Sequence, residues 1–135
     1  MWIRSAGFAI VLQLIFALSF GASVHAQDIR RIALKSGESA DLGLVYWVSH
    51  CKSIMIGLPT IDILDGPPEV TITIRAEMVL PRLQNCPNKV AGGTIVAKAS
   101  TIEEPKQAQI TYRVNYKTKE GDRPRSYVYN LSLFP

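Results

Sequence analysis

Ala108-Gln109-Ile110-Thr111-Tyr112-Arg113-Val114-Asn115-Tyr116-Lys117-Thr118 alternates between apolar and polar side chains. Ile110, Tyr112, Val114 and Tyr116 fall on one face, and Thr111, Arg113, Asn115 and Lys117 on the other. A period of two, built from β-branched and aromatic residues, predicts a half-buried strand. Lys119-Glu120-Gly121-Asp122-Arg123-Pro124-Arg125 is polar and holds both Gly and Pro; beyond it Tyr127, Tyr129, Leu131 and Leu133 alternate again up to Phe134. Two such runs around a turn segment predict a β-hairpin.

Upstream, Val70, Ile72 and Ile74 alternate with Thr71, Thr73 and Arg75, after the strong turn Gly66-Pro67-Pro68. Thr60–Leu64, Gly43–Ser49 and Gly93–Ala99 read as further strands, with a weaker one at Ile29–Leu34. After the N-terminal segment, no window free of Pro and Gly keeps the i, i+3, i+4, i+7 pattern of a helix. The expectation is an all-β domain of about seven strands, folded as a two-sheet sandwich.

The N-terminus reads differently. Arg4 is followed by an apolar run from Phe8 to Leu18, interrupted by Gln13, then by small residues ending at Val24-His25-Ala26. That order is the one found in a secretory signal peptide, with cleavage expected after Ala26. The apolar run is short for a membrane anchor, and no Cys near the junction marks a lipid attachment site. Loss of Arg4 takes the net charge from +4 to +3 and leaves residues 27–135, a length that suits one domain. The protein is thus expected in a periplasm or outside the cell, with no membrane span after cleavage.

Cys51 and Cys86 are the only cysteines. In an exported domain an even count reads as a disulfide. They lack the close spacing of a redox pair, and with His50 they are too few for a zinc site.

Several landmarks follow in order. Ser36-Gly37-Glu38 leads into an apolar strand with Cys51 at its end, a Pro-rich strand pair comes next, and Asn85-Cys86 precedes Val90-Ala91-Gly92-Gly93 and another apolar strand. Over roughly residues 35–135 this resembles small exported bacterial domains of immunoglobulin-like or cadherin-like type. The resemblance implies an immunoglobulin-like β-sandwich with a role in adhesion or binding, and it fixes no ligand. It also implies that Trp47 is a core anchor against the disulfide.

Catalytic readings find little support. His50 stands beside Ser49 and near Ser53, but such groups act only through geometry in space. Asp62 with Asp65, and Glu103 with Glu104, sit in or beside expected turns, where carboxylates are ordinarily solvated. No phosphate loop, zinc signature or nucleophile elbow is present, so neither a catalytic residue nor a cofactor or metal is expected.

Charge is unevenly distributed. Residues 105–135 carry Lys106, Arg113, Lys117, Lys119, Arg123 and Arg125 against Glu120 and Asp122, while the rest of the mature chain is close to balanced. The expected function is a non-catalytic binding domain of the cell envelope. Arg113, Lys117, Lys119, Arg123 and Arg125 on the C-terminal hairpin would meet an acidic partner: a polysaccharide, an anionic lipid surface or an envelope protein. Edge-strand cations that block aggregation are the plainer explanation of the same residues. A net charge of +3 on an exported chain argues against nucleic acid. Gly57-Leu58-Pro59 and Asp65-Gly66-Pro67-Pro68, with Met55 and Ile56, offer an apolar loop surface as an alternative contact. A small inhibitor, inserting the loop from Leu64 to Glu69 into a hydrolase, is the alternative function.

Overall fold

The structure, a computed structural model, describes residues 29–82 and 85–135. The expected signal peptide, residues 1–26, lies outside the described residues. The strands are β1 Arg30–Lys35, β2 Ser39–Val45, β3 Val48–Ser49, β4 Lys52–Ser53, β5 Thr60–Asp65, β6 Val70–Val79, β7 Val90–Ala99, β8 Lys106–Thr118 and β9 Gly121–Phe134. No described residue is helical.

One sheet has the order β1-β9-β8-β5 and the other β2-β7-β6, with β3 and β4 forming a separate small hairpin. Among the described strands only β1 with β9 is a parallel pair. The groupings β2-β7-β6 and β5-β8-β9 match the two sheets of an immunoglobulin-like sandwich, with the first strand moved across to the edge of the last. The fold is therefore the all-β, immunoglobulin-like sandwich expected, and its disulfide joins Cys51 to Cys86.

The alternation in β8 sets the core. Ile110, Tyr112, Val114 and Tyr116 are buried against Leu34, Val45, Ile95, Leu131 and Leu133, while Lys117 is exposed on the opposite face. Removal of these apolar side chains from water is the main stabilising term.

Three local expectations are corrected. Gly43–Ser49 is not one strand, because β2 stops at Val45 and Tyr46-Trp47 turn away before β3. The Lys119–Arg125 loop shrinks to a turn at Lys119-Glu120, and the following residues belong to β9. Pro124 is tolerated there for a specific reason. The Lys117 carbonyl accepts from the Ile56 amide and the Lys119 amide donates to the Ile54 carbonyl, so these two residues bond away from β9. By the alternation of an antiparallel ladder, Asn115 and Pro124 form a non-hydrogen-bonded pair, and the missing N–H of Pro124 costs no bond to β8. Finally, β5 runs one residue past the expected Thr60–Leu64 and takes in Asp65, which shortens the proline loop to Gly66–Glu69.

β7 begins at Val90, earlier than expected, and runs through Gly92-Gly93. A Cβ on Gly92 would collide with the Val45 carbonyl oxygen and lie 2.8 Å from Val79 Cγ2, so glycine lets β2 leave the sheet directly over β7. The Gly92→Ala variant is expected to lose about 1–3 kcal/mol of stability, measured by urea unfolding, because backbone has to move to admit the methyl group.

Candidate functional site

β1 pairs with β9 only from Tyr129 to Phe134. From Gly121 to Val128 no described strand lies beside the outer edge of β9, and the described residues leave the sandwich open between this stretch and β2. Tyr129 closes the upper end of the opening: its hydroxyl donates to the Leu42 carbonyl at 3.1 Å and accepts from Arg30 Nη1 at 3.4 Å. Leu42 sits where the β2–β7 register shifts between Asp41 and Gly43. Tyr129 thus satisfies a carbonyl at the irregular point of β2.

Below this closure a cleft of about 420 Å³ is lined by Leu44, Tyr46, Trp47, Val48, Tyr116, Arg125 and Tyr127. A second cleft of about 750 Å³ shares Leu44, Tyr46 and Tyr127 with it and adds Arg30, Asp41, Glu77 and Arg82. Trp47 is half-buried and meets Tyr116 edge-on, with ring centroids 5.2 Å apart. The Arg125 guanidinium lies over the indole, 5.0 Å from the ring centroid. Tyr112 underlies the opening, 5.4 Å from Tyr127 and 6.1 Å from Tyr129 between centroids. The Tyr46 hydroxyl accepts from the Arg82 amide at 3.1 Å.

The charges in this groove differ in their commitments. Arg75 pairs with Asp41 at 3.3 Å and with Glu77 at 3.5 Å, and Glu77 also accepts from the Thr94 hydroxyl. Both acids are thereby partly neutralised. Arg30, Arg82 and Arg125 add permanently charged donors, and burial holds the Tyr112 and Tyr116 phenols neutral far above their ordinary range. The arrangement presents aromatic faces beside a positive field.

The five cations expected to form one basic patch are divided by the pleat. Arg113 and Lys117 point outward, in register with Asp62 and Asp122 on the neighbouring strands. Arg123 and Arg125 stand opposite Tyr116 and Val114, on the face that carries the core. Lys119 lies in the turn, and Arg123 donates to the Glu120 and Asp122 carbonyls there. Of the five, Arg125 alone is among the residues that line the two clefts.

No family model matches this chain, and no curated protein matches it. Among solved structures, the solution structure of Amebosin is similar, with a TM-score of 0.42 at 10% identity. The match covers 76% of this chain and 87% of that one. A likeness of this degree carries no argument.

Other residues weighed from the sequence sit apart from the groove lining. His50 is exposed at the tip of the β3–β4 hairpin, its Nδ1 3.3 Å from Ser49 Oγ. Asp62 accepts from Asn115 Nδ2 at 2.8 Å on the outer face, and Glu103 and Glu104 lie in the loop before β8. Among the described residues no group of three His, Cys, Asp or Glu could hold a metal, and no helix is long and apolar enough to cross a membrane.

The sequence places Tyr46, Trp47 and Tyr127 in strands, with Trp47 alone expected as a core anchor. What it missed was the stop of β2 at Val45 and the partial cover of β9, which leave these rings at an open edge.

Proposed function

We propose that the protein is an exported, non-catalytic binding domain of the cell envelope, and that its site is the aromatic and cationic groove between β2 and β9. The observation that carries this reading is the half-buried Trp47 ring, backed by Tyr116 and covered by Arg125, beside the uncovered edge of β9. A flat apolar ring face and a neighbouring guanidinium suit a ligand with a ring and an anionic group. The ring stacks on an aromatic face and the carboxylate takes paired donors from arginine. The acidic sugar unit of an envelope polysaccharide has both features. The disulfide supports an oxidising location, in keeping with export.

The test is a titration of the exported chain with uronic-acid oligosaccharides and with neutral oligosaccharides, followed by tryptophan fluorescence at low and high salt. Acidic oligosaccharides are expected to bind, to perturb Trp47 emission and to weaken as salt rises. Trp47→Ala and Arg125→Gln should each lower affinity about tenfold. Arg113→Gln with Lys117→Gln should leave it unchanged. Loss of binding in this outer-face variant alone would place the site on the basic hairpin instead, and equal binding of neutral and acidic sugars would remove the role given to Arg125.

A further inference from the structure

The exposed strand edges of this sandwich are not equivalent. The uncovered part of β9 contains Pro124, β2 shifts register between Asp41 and Gly43, and β5 shifts between Ile63 and Asp65. β1 is short and carries Arg30, Arg31 and Lys35. These are the usual means by which proteins prevent a free edge from pairing with another chain. β6 has neither proline nor bulge: it runs Val70–Val79 in unbroken register with β7, and its two charges, Arg75 and Glu77, are of opposite sign.

Apolar surface accompanies this edge. Met78 and Leu58 are 57% and 47% exposed, and with Met55, Ala76 and Ala91 they line a mostly apolar cleft of about 430 Å³. Ile56 and Leu80, 58% and 46% exposed, neighbour these residues in the chain. Here lies the Met55–Leu58 surface singled out in the sequence, joined to β6 and not to the proline turn.

We propose that β6 is the interface for a second copy of this chain, paired antiparallel across a two-fold axis at Ala76. The Ser100 amide donates to the Glu69 carbonyl at 2.8 Å, which makes those residues a hydrogen-bonded pair. Alternation along the ladder then turns the free N–H and C=O groups of Ile72, Ile74, Ala76 and Met78 outward. The Val70 amide, which donates to Pro67 and not to β7, obeys the same parity. A two-fold at Ala76 sets Ile74 against Met78 of the second copy and, on the outer face, Arg75 against Glu77 of the second copy. An axis at Arg75 or Glu77 would oppose like charges, and one at Ile74 would oppose Arg75 and Glu77 to threonines. The register at Ala76 is thus self-complementary in charge and apolar contact, as an isologous interface requires. Arg75 and Glu77 are exposed, so their in-chain ion pairs can exchange for pairs across the seam.

Sedimentation velocity on the full chain, purified after export, tests this over a range of concentrations, with circular dichroism confirming the fold of each variant. The native chain is expected to dimerise. Arg75→Glu and Glu77→Lys alone should each weaken the dimer about tenfold or more, since two symmetric pairs turn repulsive, and the double variant should restore it. A native chain that stays monomeric throughout, a single variant that dimerises undiminished, or a folded double variant that fails to recover would each overturn the proposal.

Discussion

Replacing both Cys51 and Cys86 by alanine is expected to lower unfolding stability by roughly 3 to 4 kcal/mol, the chain-entropy value for a loop of this length. The bond closes a sequence separation of 35 residues, and its loss should appear as a lower urea midpoint. Local geometry adds to the effect. His50 and Cys51 have φ of 51° and 61°, and Asn85, beside Cys86, has φ of 48°. His50 and Cys51 form the two-residue turn of the β3–β4 hairpin, whose strands contribute only two residues each. A turn with two left-handed residues ordinarily employs asparagine and glycine, and side-chained residues hold it only where surrounding structure enforces it. The disulfide supplies that constraint. Once it is gone, the hairpin that begins one residue after Trp47 should open, and amide exchange should rise first at Val48–Ser53. The groove should loosen with it, so acidic-sugar affinity would fall even where the sandwich remains folded. A loss below about 1 kcal/mol would mean that the unfolded chain is already confined without the bond.

The sheets were legible because their information is local. Alternation in β8 depends on side chains two apart, and the structure places Ile110, Tyr112, Val114 and Tyr116 in the core as that pattern requires. The hairpin turns were less so. Pro124 and Gly121 read as loop residues, yet a proline costs nothing where its nitrogen faces an open edge, and β1 leaves that edge open by pairing only with Tyr129–Phe134 of β9. The same misreading hid the division of the basic patch. With Lys119–Arg125 taken as a loop, the cations had no assigned face, whereas the strand register sends Arg125 to the side of Trp47 and Arg113 to the opposite one. The site itself draws Tyr46 and Trp47 from the exit of β2 and Arg125 and Tyr127 from β9. Their meeting depends on where two strands stop, and stops are set by packing between sheets, such as the passage of Val45 over Gly92. Trp47 was read as a core anchor against the disulfide, whereas its half-buried ring rests on Tyr116 at a groove mouth.

The buried tyrosines make the fold sensitive to alkali. Tyr112 and Tyr116 are 1% and 4% exposed, and burial, reinforced by the neighbouring tyrosines, pushes both phenols far above the ordinary value. The native state therefore keeps protons that the unfolded chain releases near pH 10. A group whose pKa is raised on folding contributes its full stabilisation below the unfolded value and loses it as pH rises further. Each tyrosine contributes a slope that approaches about 1.4 kcal/mol per pH unit, or about 2.7 for the pair. Urea midpoints from about pH 9 to about pH 11 should be flat at first and then fall steeply. Tyr112→Phe and Tyr116→Phe should each roughly halve the slope that the pair contributes, while an unchanged slope in both would show that water reaches these hydroxyls in the folded state. The same protons matter to the site. Neutral phenols beneath Trp47 and Tyr127 leave the arginines to set the charge of the groove. Affinity for an acidic sugar should accordingly gain no pH dependence from Tyr112 or Tyr116 before unfolding begins. A decline in affinity well before the loss of structure would identify an ionising group in the groove itself.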